Sequence, residues 1–154
     1  MATPVHQRNV ININGIEFHA HSCEMRVGTA KDELGLPQMG TQATKICVSV
    51  DVQDEENMPF DKIQSLFELS NIVTSDKIVG MTFSFLRDEN PDNVIVSFKL
   101  EGWISLFSVS NYMTPGGGAD AGAADGPGLI NNRLYLEIEP RVNEMNYKEI
   151  TIGN

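Results

Sequence analysis

Residues 77–112 constrain the fold more than any other stretch, because they hold two strictly alternating apolar arms joined by a polar turn. In the first arm Val79, Met81, Phe83 and Phe85 fall on one side, with Gly80, Thr82 and Ser84 on the other. In the second, Val94, Val96, Phe98 and Leu100 alternate with Ser97, Lys99 and Glu101. Successive side chains on a strand point to opposite faces, so a period of two means one buried and one wetter face. The link from Asp88 to Asn93 (DENPDN) is built from residues that favour turns and oppose strands. The stretch therefore predicts a β-hairpin.

The same period recurs elsewhere. Asn14-Gly15 separates two short runs within residues 9–20, and that dipeptide accepts the positive φ values of a type I′ turn. Ile16, Phe18 and Ala20 share one face while Cys23, Met25 and Val27 share the opposite one, which predicts a β-bulge or bend near Ser22. Ile46, Val48, Val50 and Val52 alternate with Lys45, Ser49 and Asp51. Gly102 offers a bend, after which Ile104 and Leu106 oppose Phe107 and Val109. Leu134, Leu136 and Ile138 alternate with charged and aromatic residues, and Ile150 and Ile152 predict a last short strand. Only one segment has helical spacing. Asn57 offers a cap, Pro59 fits a first turn, and Asp61 complements the helix dipole. Phe60, Ile63, Leu66 and Phe67 then form the expected buried face of a helix over about residues 58–69. Seven or eight strands with one helix predict a mainly β fold, an antiparallel barrel or sandwich, in one domain over residues 1–154.

Two stretches break the pattern. Residues 28–43 (GTAKDELGLPQMGTQA) hold three glycines and a proline, so a long loop is expected, and such loops in compact domains are usually functional or disordered. Leu34, Leu36 and Met39 lie within it, and a solvated linker has no need of them. The loop either docks against something else or folds back on its own domain. Residues 114–128 (TPGGGADAGAADGPG) lack the apolar surface that would offset ordering, which predicts a flexible excursion.

Several function classes are disfavoured. Against 11 lysines and arginines the chain carries 21 acidic residues, a net charge of −10. Nucleic-acid binding depends on a basic surface that displaces counterions, so DNA and RNA are not expected as partners, nor is an anionic membrane. No apolar run approaches the ~20 residues that span a bilayer. The opening MATPVHQRNV lacks the basic and apolar regions of a signal peptide, so the expected starting compartment is the cytoplasm. Cys23 and Cys47 lie in strand-like segments and are expected to stay reduced there. His19-x-His21-x-Cys23 would converge on one face of a regular strand and could hold a metal. The change of apolar face at Ser22 argues against that regularity, and His6 is the only other histidine. No nucleophile elbow, phosphate-cradling loop or dinucleotide fingerprint is present. The expectation is a non-enzyme with no metal and no cofactor.

Three segments carry a family resemblance. TKICVSVDVQDEENMPFDKIQSLFELSN, a strand entering the one helix, KIVGMTFSFLRDENPDNVIVSFKLEGWISLFSVS, a hairpin with a continuing strand, and NRLYLEIEPRVNEMNY, a closing strand with its tail, together resemble the haemolysin-coregulated protein (Hcp) family. That family supplies the tube subunit of bacterial type VI secretion systems, and the resemblance covers roughly residues 9–147. It implies a structural role: homohexameric rings stacked into a hollow tube, with sheath, spike and effector proteins as partners. It also implies cytoplasmic assembly and export through the apparatus. The loop at 28–43 sits where the family has an extended loop between rings, so Leu34, Leu36, Pro37 and Met39 become candidate inter-subunit contacts. Thr82, Ser84, Ser97, Lys99 and Glu101 become a candidate lumen or subunit face. A tube protein of another contractile injection system or phage-like tail, or a non-enzymatic β-sandwich binding module, would share this outline.

Overall fold

A computed structural model describes residues 8–41, 43–111, 132–141 and 149–152. The elements in chain order are β1 (Asn9–Ile13), β2 (Ile16–Phe18), β3 (Ser22–Gly28), β4 (Ala43–Asp51), α1 (Phe60–Ser70), a short 3₁₀ turn (Ser75–Lys77), β5 (Val79–Leu86), β6 (Val94–Asn111), β7 (Asn132–Pro140) and β8 (Glu149–Ile152). The stretch expected to be flexible, 114–128, lies outside the described residues.

The fold is mainly β with one helix, as the alternation predicts. Strands follow the order β2-β1-β5-β6-β7-β4-β3, all antiparallel, and β8 pairs with β6. The central hairpin is β5–β6, with Met81 opposite Leu100 and Phe83 opposite Phe98. Asn14 and Gly15 take φ of 53° and 83°, the paired positive values a type I′ turn between β1 and β2 requires.

Strand β6 runs for 18 residues and joins two halves of the sheet. Its first part pairs with β5 on one edge and β8 on the other, and its second part pairs with β7. Gly102 is where these partners change over, facing Val79 on one side and Pro140 on the other. A Cβ at this position would stand 2.6 Å from the Glu139 carbonyl oxygen, so the close approach of β7 needs a glycine. Three residues further on, a register shift between Ile104 and Leu106 marks a bulge. The extra residue sends Ile104 and Phe107 to the core side and Leu106 outward, correcting the expected pairing of Ile104 with Leu106.

The two ends of the strand order, β2 and β3, are separated in the chain only by His19, Ala20 and His21. At roughly 3.6 Å of reach per residue, that link forces the sheet to roll until its ends meet. Ile11, Phe18, Ile46, Val48, Phe83, Leu134 and Ile138 accordingly share one core inside the roll. No ladder closes the seam among the described residues; two asparagines fasten it instead. The Asn9 amide donates to the Ala20 carbonyl at 3.0 Å, and its oxygen accepts from the Ala20 N–H at 2.7 Å. The Asn57 amide grips His19 in the same way, at 2.6 and 2.8 Å. The His21 N–H then donates to the Ser49 carbonyl at 2.8 Å. The change of face near Ser22 is therefore a bend between sheet ends.

This use of Asn57 corrects its expected role as a helix cap. Pro59 holds the N-cap position of α1 and no side chain caps it. The helix also buries less than its spacing suggests. Leu66 is fully buried and Ile63 packs against the core, but Phe60 and Phe67 remain 75% and 49% exposed. The helix touches the sheet along a narrow stripe centred on Leu66, with Phe67 meeting Phe107 edge-on at 5.4 Å. Lys62 ties it to the seam by donating to the Glu17 carbonyl at 2.6 Å.

Two substitutions test this architecture. Gly102→Ala is expected to cost about 1–3 kcal/mol through overpacking against β7, read as a lower denaturant midpoint at unchanged slope. Asn9→Ala strands the N–H and carbonyl of buried Ala20 and is expected to cost about 1–3 kcal/mol by the same measurement. A wild-type midpoint for either variant would show that the corner or the seam fastening is not needed.

Candidate assembly surface

The loop between β3 and β4 extends their hairpin outward. Its base is the Gly28–Ala43 pair, and an isolated bridge joins Lys31 to Pro37. The Gln38 N–H donates to the Ala30 carbonyl at 2.8 Å, and the Asp32 N–H to the Leu36 carbonyl at 2.9 Å. At the tip, one oxygen of the Asp32 carboxylate accepts the N–H groups of Leu34 (2.9 Å) and Leu36 (2.8 Å). Gly35, at φ 81°, supplies the left-handed residue that closes the turn.

The side chains on this loop point to solvent. Leu34 is 85% exposed, Leu36 58% and Met39 89%, and Pro37 is exposed beside them. In this structure the loop does not fold its apolar side chains back on its own domain. The four candidate contact residues thus occur together on one projecting, hydrogen-bonded arm. The sequence reading missed Asp32, although Asp-Glu-Leu-Gly carries the aspartate and glycine that mark the first and fourth residues of a type I turn.

The outward face of the rolled sheet is mostly polar, with Leu106 an exposed apolar residue on it beside Glu137. On β3, β4 and β7 it presents Glu24, Arg26, Lys45, Cys47, Tyr135 and Glu137 around an open basin of about 380 Å³. The charges there neutralise one another locally. Arg26 bonds Glu24 at 2.8 Å and Lys45 bonds Glu137 at 2.7 Å. Arg133 donates to the Ser49 hydroxyl and stands 5.3 Å over the Tyr135 ring. The hydrogen bond from Lys45, helped by Tyr135, holds the Glu137 carboxyl below the usual carboxylate range. Arg26 does the same for Glu24. On β5 and β6 the same face continues through Thr82, Ser84, Ser97, Lys99 and Glu101, with the Ser84 and Ser97 hydroxyls 3.0 Å apart.

The histidine-cysteine constellation is not assembled. His19 turns its Nδ1 to the Asn9 carbonyl at 2.7 Å, His21 is exposed at the bend, and Cys23 packs against the core. No group of three metal-capable side chains forms among the described residues. Cys23 and Cys47 are both free, on opposite faces of neighbouring strands. Burial, with Cys47 nearby, pushes the Cys23 thiol up to about 12.

The outer edges of β2 and β3, which flank the seam, carry no partner strand among the described residues. Neither does the edge of β6 opposite β7 beyond Gly102. Unpaired edges are ready templates for strand addition by another chain.

No protein-family model matches the sequence, and no curated protein is significantly similar to it. The fold is shared with solved structures. Hcp1 from Flavobacterium johnsoniae matches at a TM-score of 0.54 and 11% identity, covering 87% of this chain and 90% of that one. A chain of the sheath–tube complex of an extracellular contractile injection system, PVC, matches at 0.53 and 11% identity, covering 96% and 90%. A chain of the anti-feeding prophage tube terminating cap matches at 0.51 and 14%, covering 96% and 89%. The chain has an Hcp-like fold.

The raised Cys23 thiol sets a direction for pH dependence. The folded protein keeps this thiol neutral where the unfolded chain, at the ordinary thiol value of 9.0, ionises. Its contribution is therefore intact below about pH 9 and is lost as pH climbs toward 12. Cys23→Ala is expected to flatten the alkaline fall in stability, and in the native protein at pH 8 a maleimide should leave Cys23 unmodified by mass spectrometry. Labelling of Cys23 as fast as in denaturant would contradict its placement.

Proposed function

We propose that this chain is the subunit of a hollow protein tube of the type VI secretion kind. Copies close into six-membered rings through their open strand edges, and the rings stack. A contracting sheath drives the tube, a spike leads it, and effector proteins travel with it. Assembly takes place in the cytoplasm and the tube leaves through the apparatus. The observation that carries this reading is the whole-chain fold likeness to Hcp and to contractile-system tube complexes. The surface suits it. Ring closure uses edges that would otherwise aggregate, the projecting arm with Leu34, Leu36, Pro37 and Met39 provides contacts between subunits or rings, and the charge-balanced polar face suits a conduit wall.

A second reading, the tube of an extracellular contractile injection system, is favoured by coverage. Chains of such systems align over 96% of this one against 87% for Hcp1, at nearly equal TM-scores.

Both readings predict an assembled mass. Light scattering on the eluted protein should give a value near six times 17.0 kDa. Deletion of residues 30–40 should abolish stacking or ring closure in electron micrographs. A monomeric mass would remove the tube, and unchanged assembly after deletion would remove the arm's role.

A further inference from the structure

The apolar side chains of the projecting arm are useful for docking only if they are held apart and outward before contact. Five residues at its tip have no core to hold them, since every side chain from Lys31 to Thr41 is exposed. Order there comes from hydrogen bonds, and these converge on one residue. Asp32 donates its N–H to the Leu36 carbonyl at 2.9 Å and accepts the Gly35 N–H at 3.0 Å on its own carbonyl. Its carboxylate accepts the Leu34 and Leu36 N–H groups through a single oxygen, at 2.9 and 2.8 Å. The two residues whose amides it holds are the two leucines of the arm.

We infer that Asp32 is the positioning residue of the docking arm, its carboxylate pre-forming the turn that presents Leu34 and Leu36 to a second copy of this chain. The inference rests on the tube reading and adds to it a residue that touches no partner. A charged acceptor is suited to this, because hydrogen bonds to an ionised group are shorter and stronger than neutral ones. A flexible arm would have to lose its conformational freedom on contact, whereas a pre-formed arm has already lost it. Asparagine at this position keeps the same acceptor oxygen, whereas alanine removes it.

The test compares three full-length variants: Asp32→Ala, Asp32→Asn, and a triple change of Leu34, Leu36 and Met39 to Ala. Two readouts are taken, amide hydrogen exchange at residues 34 and 36, and assembly by sedimentation over a concentration series. Asp32→Ala is expected to speed exchange at both amides and raise the concentration needed for assembly by about tenfold, while Asp32→Asn restores most of both. Its melting temperature should match wild type, which separates positioning from a general loss of stability. If the triple variant fails to assemble but Asp32→Ala assembles normally, the inference is overturned and the docking role of the arm stands. Unchanged amide exchange in Asp32→Ala overturns it equally. If the triple variant assembles as wild type, or the wild-type chain stays monomeric, the arm's docking role falls and the inference with it.

Discussion

Three residues between β2 and β3 govern the architecture. These strands stand at opposite ends of a seven-strand path, and a link that short cannot join them across an open, flat sheet. The sheet has to roll, and rolling puts the apolar face of every strand around one core. It also brings together backbone groups that no ladder pairs. Asn9 and Asn57 resolve this by lending side-chain amides to Ala20 and His19, so the crossing keeps the hydrogen bonds a strand would have given it.

The other adaptations follow from that roll. A single 18-residue strand can serve both halves of the sheet only if it changes partners along its length, and Gly102 lets the neighbouring backbone come close where it does so. The bulge after Ile104 re-aims the remainder, bringing Phe107 under the helix and turning Leu106 out. With the apolar faces consumed inside, the outer sheet surface is left mostly to paired charges and hydroxyls. Among the described residues, unburied apolar side chains lie on the helix and the link after it, on the arm beyond β3 and β4, and on β6 at Ile95, Leu106 and Val109.

Much of this was legible in the chain. Alternation located β4, β5, β6 and β7 and their inward residues, because a sheet with one wet face has no other way to satisfy its period. Asn14-Gly15 announced its own turn. The reversal of face near Ser22 was visible too, but nothing local says that it marks a crossing between sheet ends, since the strands involved meet only in three dimensions. The helix was found by its period and overestimated in its burial, because spacing reports which residues share a face and not how wide a groove awaits them. Phe60, one turn ahead of the contact line, is the cost of that gap. Asn57 looked like a cap because it precedes a helix, and its true partner lies 38 residues earlier. Asp32 was legible in principle from its spacing to Gly35, and its significance depends on knowing that the arm projects.

The seam has one more consequence, for how chains of this shape can diverge. The loop between β3 and β4 stands clear of the body and can lengthen or shorten without disturbing a ladder. The crossing at His19–His21 has no such freedom, since a single added residue would misplace both asparagine clamps and the sheet ends they join. Variants of this fold are therefore free to change in reach but not in girth, and copies with arms of different length would still share one radius.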